Sequence, residues 1–367
     1  MKFVCSTYDI CEAVTNVQRA VSTKSSLPAL EGILLKAENN LITMSGYDLE
    51  IAITTTCQAN IVNEGSVILN ARLFGEILKK IPGDKVEIET DNKLSARISS
   101  GATEFSIMAM AAEEYPELPA INDNSSIEID CEILRSMVSQ TIFAVSTTDI
   151  KPVHTGILFE VDDDNLKLIA VDGYRLAIRN EKIKNSGSMR FIIPSKTLNE
   201  IMKLMGEDDK TVKFNIGSRH ISFDVGNFLV ISRLLEGEFL DYRSAIPQGA
   251  ATTVVVNTKS FTNSIDRISL LITDRLKSPV RCVFENNEIS MRCTTAMGKA
   301  SDKLECSING DSLEIGFNNK YFLDALRAVD SDMVKIELNG ATSPIKILPC
   351  DGDDFLFLVL PVRLKAE

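Results

Sequence analysis

The hydrophobic and polar positions of this chain change period on a regular schedule. Apolar residues three and four apart, as in Ile10, Ala13, Val14 and Val17, or in Ile265, Ile268, Leu271 and Ile272, predict short amphipathic helices. Between such stretches, runs like Lys85-Val86-Glu87-Ile88-Glu89, Leu94-Ser95-Ala96-Arg97-Ile98, Glu104-Phe105-Ser106-Ile107 and Leu313-Glu314-Ile315-Gly316-Phe317 alternate or nearly so, as half-buried antiparallel strands do. Three helix-plus-strand units recur: Asn70 to Ile81 then Gly83 to Glu89, Pro194 to Leu204 then Asp209 to Phe214, and Asn318 to Val329 then Asp332 to Leu338. Their starts, at 70, 194 and 318, fall 124 residues apart both times, which makes the chain a threefold repeat.

Other landmarks keep the same register. Tyr47-Asp48 is matched by Val171-Asp172, each ahead of an alternating strand, Leu49 to Thr54 and Arg175 to Arg179. Ser26 to Leu35 resembles Ile150 to Phe159 and Lys277 to Phe284. The chain has no twelve-residue crossovers between strands, so a doubly wound parallel sheet is excluded. Each repeat is expected to be an α+β domain with two helices packed on antiparallel sheets. Polar stretches around Asn122 to Ser126 and Gln248 to Ala250 divide it into residues 1–122, 127–247 and 250–367.

At 367 residues and 44% hydrophobic content, three soluble domains fit better than one core. The longest apolar run, Phe355 to Leu360, is far short of a membrane span and predicts a buried strand. No secretory signal opens the chain, so it is expected in the cytoplasm. Eight cysteines form no C-x-x-C pair and read as small buried hydrophobes, not a metal or redox site.

Catalytic chemistry is hard to place. No phosphate-binding loop, nucleophile elbow or H-E-x-x-H is present, and the two histidines, His154 and His220, stand apart from any nucleophile motif. The acidic clusters Asp162-Asp163-Asp164-Asn165 and Asp351-Gly352-Asp353-Asp354 fit turns between strands better than a two-metal site. We expect no catalytic residue, no metal and no cofactor.

Charge complicates the picture. With 51 acidic against 39 basic residues, the net charge of −12 argues against holding nucleic acid by bulk electrostatics. Arg72, Lys79, Lys80, Lys196, Lys203 and Arg327 fall on predicted helices and form either a local basic stripe or ordinary solvated faces. Two further segments look more than structural: Val171 to Leu176, which sets glycine, tyrosine and arginine at a turn entering a strand, and the apolar Leu358 to Leu364. The second reads either as a buried edge strand or as an apolar docking groove.

These residues, with Met1-Lys2-Phe3, Leu27-Pro28 and Gly32, Asp172 to Ala177, Phe239 with Asp241-Tyr242-Arg243, Ile315 to Asn318 with Tyr321, and Leu360-Pro361-Val362-Arg363, occur in one order along essentially the whole chain. In that order the chain resembles the beta subunits of bacterial DNA polymerase III, the replicative sliding clamps. The resemblance implies three tandem clamp domains and a head-to-tail homodimer that closes a six-domain ring around duplex DNA, with helices lining the hole. It implies a nucleoid-associated processivity factor without a catalytic site. The nucleotidyltransferase activity belongs to the assembled DNA-directed DNA polymerase.

Carried over, the resemblance sets Phe105 and Ile107 against Leu271 and Ile272 at the dimer contact. It places Lys24, Arg72, Lys79, Lys80, Lys151, Lys196 and Lys203 toward DNA, without sequence specificity. A peptide-binding groove would draw on His154, Val171, Gly173, Tyr174, Arg175, Leu176, Leu240, Ala245 and Lys277. Its other wall would be Asn318, Tyr321, Thr342, Pro344, Val359, Leu360, Pro361, Val362 and Arg363. The implied partners are the polymerase alpha subunit, the clamp loader delta subunit, translesion polymerases, mismatch-repair proteins and DNA ligase, through short linear motifs, and no membrane. Lys277 replaces an apolar or aromatic residue of several members, and Lys365-Ala366-Glu367 extends past the usual end, so peptide preference is open. The competing reading is a modular protein-binding scaffold that does not enclose DNA.

Overall fold

The computed structural model describes residues 1–121, 125–148, 150–184, 187–273 and 278–364. Among these are the helices α1 (Thr7–Val17), α2 (Ala71–Lys80), α3 (Cys131–Ser139), α4 (Ser195–Leu204), α5 (Thr258–Ser269) and α6 (Asn319–Arg327). The side-chain oxygens of Ser6, Asn70, Asn257 and Asn318 accept backbone N–H groups in the first turns of α1, α2, α5 and α6, groups the helix itself leaves unpaired. In α2 the 3.6-residue period buries Phe74, Ile77 and Leu78 and leaves Arg72, Lys79 and Lys80 outward. Gly75 sits where α2 meets the end of α1: a Cβ there would collide with the amide of Gln18, which donates to the carbonyl of Ala71.

Two expected element boundaries need correction. The helix read from Ile265 to Ile272 stops at Ser269, so Leu271 and Ile272 lie beyond it. Its last bonds tighten to three-residue turns, Leu270 N–H to Arg267 O and Ile272 N–H to Ser269 O, while Ser269 Oγ bonds back to Ile265 O. The strand expected from Leu49 begins at Ile51. Asp48 Oδ1 accepts the N–H groups of Glu50 and Ile51 at 3.0 and 2.8 Å, and the turn so made puts Leu49 at φ 75°. The same turn recurs at Asp172, where the corresponding position is Gly173 at φ 91°.

The chain divides into two compact units, Met1–Cys131 with Lys196–Leu234, and Glu132–Ser195 with Leu235–Glu367. Every described sheet pairing is antiparallel. The first unit holds one large sheet whose ladder runs from Ser125–Asp130 to Thr103–Met108. Within it Phe228–Arg233 pairs with Ile51–Asn63, Val230 opposite Ile53. The second unit holds a nine-stranded sheet, in which Arg175–Lys182 pairs with Phe355–Val359, Ala177 opposite Phe357, and a five-stranded sheet ending at Gly298–Glu305.

Phenylalanines anchor both cores. Phe3 and Phe74 are fully buried in the first unit, and Phe159, Phe261, Phe317 and Phe322 in the second, where Phe317 and Phe322 stack at 4.6 Å. Asp162–Asn165 and Asp351–Asp354 lie at connections between strands, as expected of turns. Five cysteines are buried, Cys11 and Cys306 half-buried, and Cys350 is exposed against expectation because it follows the end of a strand at a turn. Among the described residues no helix is long and apolar enough to cross a membrane.

Candidate functional site

The turn at Asp172 organises the site. Its Oδ1 accepts the N–H groups of Tyr174 and Arg175, and its Oδ2 takes the Arg175 guanidinium at 2.9 Å. The same guanidinium reaches Asp324 of α6 at 2.6 Å and lies 4.7 Å over the ring of Tyr321 and 5.5 Å from that of Phe143. Arg175 is thereby buried, with its charge answered by two carboxylates and two aromatic faces. Tyr174 projects outward, 58% exposed, and stacks on Tyr321 at 5.5 Å.

The chain end forms the opposite side. Leu360 donates its N–H to the carbonyl of Tyr174 at 2.9 Å, and Pro361–Val362 forms a two-residue edge strand against Leu313–Phe317. Leu360 and Val362 remain 41% and 37% exposed. Val171, Leu176 and Val359 are buried beneath, and the pairing of Ile345 with Val359 brings the loop carrying Thr342 and Pro344 to the same end of the sheet. Asn318 caps α6, which carries Asp324 in its second turn. His154 lies 5.5 Å from the ring of Phe239, next to half-exposed Leu240, and Ala245 and Arg363 are exposed. Burial, and then Lys151, push the His154 imidazole below its usual range, against a smaller upward pull from Asp172. Lys277 lies outside the described residues.

A cavity of about 570 Å³ opens beside Tyr321, where Asn318 and Val362 meet Leu323 and Ile272. Ile272, which the resemblance places at a dimer contact, also lines this cavity within the chain. Asp324 and Phe143 were missing from the expected site. Asp172-x-x-Arg175 carries a turn spacing that points to its own ion pair, whereas Asp324 has no local signal, because the fold supplies its partner from a distant segment.

The expected DNA-facing cations differ in their surroundings. Lys196 is paired with Asp48, with Glu50 at 3.6 Å; Lys203 is 2.8 Å from Glu200; and Lys79 and Lys80 share Glu76 at 3.7 and 3.8 Å. Lys24, Arg72 and Lys151 are exposed and make no ion pair among the described residues. Phe105 and Ile107 occupy alternate, half-buried positions of Thr103–Met108, a strand that ends its sheet.

Three family models match in tandem: the N-terminal domain of the DNA polymerase III beta subunit over residues 1–119, its central domain over 128–241 and its C-terminal domain over 243–363. The chain is 35% identical to the beta sliding clamp of Bacillus subtilis, covering 99% of this chain and all of that one. It superposes on the crystal structure of the DNA polymerase sliding clamp from Bacillus subtilis with a TM-score of 0.97, at 34% identity over the whole of both chains. A crystal structure of a putative DNA polymerase III beta subunit from Eubacterium rectale gives a TM-score of 0.95, at 32% identity over 99% of each chain.

Proposed function

Since the chain belongs to the family of bacterial DNA polymerase III beta subunits, the sliding clamps, we propose that two copies close head to tail into a ring that encircles duplex DNA and tethers the replicative polymerase. It is a processivity factor, not an enzyme.

One observation carries the closure. Two like junctions exist within the chain: Ile51–Asn63 of the first repeat pairs with Phe228–Arg233 of the second, and Arg175–Lys182 of the second pairs with Phe355–Val359 of the third. The counterparts left over are Gly298–Glu305 of the third repeat and Thr103–Met108 of the first, and both end their sheets. A third junction of the same antiparallel kind needs a second copy, and two such joints complete a two-fold ring without leaving an open edge. Phe105 and Ile107 enter that joint, with Leu271 and Ile272 near the opposite edge.

The repeat boundaries of this reading are 1–122, 127–247 and 250–367. Duplex DNA meets lysines and arginines that touch phosphates and read no bases, so the ring slides. Lys24, Arg72 and Lys151 do most of this, since no carboxylate among the described residues already answers their charges. The groove around Tyr174, Leu360 and Val362 takes short linear peptides with apolar anchors. It serves the polymerase alpha subunit, the loader delta subunit, translesion polymerases, mismatch-repair proteins and DNA ligase in turn, at the nucleoid. A tethered polymerase stays at high effective concentration beside the primer end.

The test is topological. After loading onto nicked circular plasmid by a clamp-loader complex, the protein should co-elute with the circle in high salt and be lost when the plasmid is cut once. Loss from the intact circle, or retention on the cut one, would favour the non-encircling scaffold.

A further inference from the structure

The nine-stranded sheet carries a second trough, two residues farther along the strands that hold the peptide groove. Leu176 pairs with Leu358, and Ile178 with Leu356. Alternate residues share a face, so both pairs lie on one side of the sheet, about 7 Å apart along the strands. The trough, of about 410 Å³, has Ile178, Ile246, Leu348 and Leu356 in its lining, and the last three are only half-buried.

Its rim is basic on a chain of net charge −12. Lys167 and Lys335 come from strands on either side of the three central ones, and neither makes an ion pair among the described residues. Lys167 stands across the ladder from Glu160, but that carboxylate is already taken by the Tyr242 hydroxyl at 2.6 Å, Arg243 at 2.9 Å and Arg190 at 3.3 Å. Asp353 is the one carboxylate in the lining among the described residues. Four strand spacings separate the lysine-bearing strands, about 19 Å, which an extended segment of about six residues spans.

We propose that this trough is a second docking site, for an acidic segment of a partner protein that lays aliphatic side chains on Ile178 and Leu356 while its end carboxylates reach Lys167 and Lys335. Apolar burial fixes the centre of such a segment, and charge selects an acidic one over a basic one. The site does not depend on the groove at Leu360.

Fluorescence anisotropy of labelled Asp-Glu-Leu-Glu-Leu-Glu-Asp on the full chain tests it, since both leucines and both end aspartates then fall on one face of an extended segment. The double variant Lys167→Glu/Lys335→Glu, at half-buried strand positions, should weaken binding at least about tenfold while leaving the circular dichroism unchanged. Replacing the two leucines of the peptide by serine should do the same. Leu360→Ala should change the affinity by less than about twofold. The proposal is overturned if wild-type protein does not bind the peptide, if the serine peptide binds equally, if the charge reversal has no effect, or if Leu360→Ala removes binding and so places the peptide in the groove.

Discussion

Arg175 and Asp324 are 149 residues apart in sequence and meet at 2.6 Å, tying the turn at the start of one strand to the middle of α6. Asp172 holds the other edge of the same guanidinium, so Asp324→Asn leaves Arg175 partly neutralised. We expect it to cost about 1–2 kcal/mol in urea denaturation. Asp172→Ala loses the ion pair and both turn hydrogen bonds and should cost about 3 kcal/mol. Both should loosen the stacking of Tyr174 on Tyr321 and weaken groove peptides.

Leu360→Ala and Val362→Ala remove partly exposed side chains, so the fold should lose less than about 1 kcal/mol. Binding of a leucine- and phenylalanine-anchored peptide should fall by at least about 30-fold while the dimer persists. Titration calorimetry with light scattering on the same samples separates the two effects.

Ile107→Glu introduces a charge on an edge strand expected to be covered by a second copy. At low micromolar concentration the mass should fall from about two chains to one, with the circular dichroism unchanged. A mass that stays at two chains would move the joint away from Thr103–Met108.

Arg72→Ala and Lys151→Ala should lower the salt dependence of DNA binding, the slope falling by up to about 0.9 for each phosphate that is no longer neutralised. Lys203→Ala should do less, because Glu200 already offsets that charge. Filter binding between about 50 and 200 mM salt reads the difference.

His154 should titrate below the ordinary value of about 6.5 in proton NMR, and Lys151→Ala should move its midpoint upward. The neutral imidazole is the form favoured on folding. Its contribution is therefore present above about pH 6.5 and lost as the pH falls through the lowered value.

Much of this architecture is legible in the residues. The asparagine caps at Asn70 and Asn318 and the period of α2 mark the repeat, because they are short-range and each repeat must solve the same packing problem. Leu49 misled because its Asx turn overrides the strand pattern, and Leu271 with Ile272 because periodicity continues past the point where Ser269 ends the helix. The Asp172 turn could be read from four adjacent residues. Its completion by Asp324 and Phe143 could not, since ion pairs and ring contacts between distant segments leave no period behind. Nor does the chain announce that Lys196 is answered by Asp48 while Arg72 makes no such pair among the described residues.

Two of the three like strand junctions are stitched by one polypeptide, so their halves find each other without any cost in translational freedom. In the proposed ring the remaining one is made between molecules, and its halves become independent whenever the protein is diluted. A ring built this way has a seam fixed by connectivity alone. Dilution, heat or an applied pull should part Thr103–Met108 from Gly298–Glu305 of its neighbour well before either covalently tethered junction yields, although all three are built from the same kind of ladder.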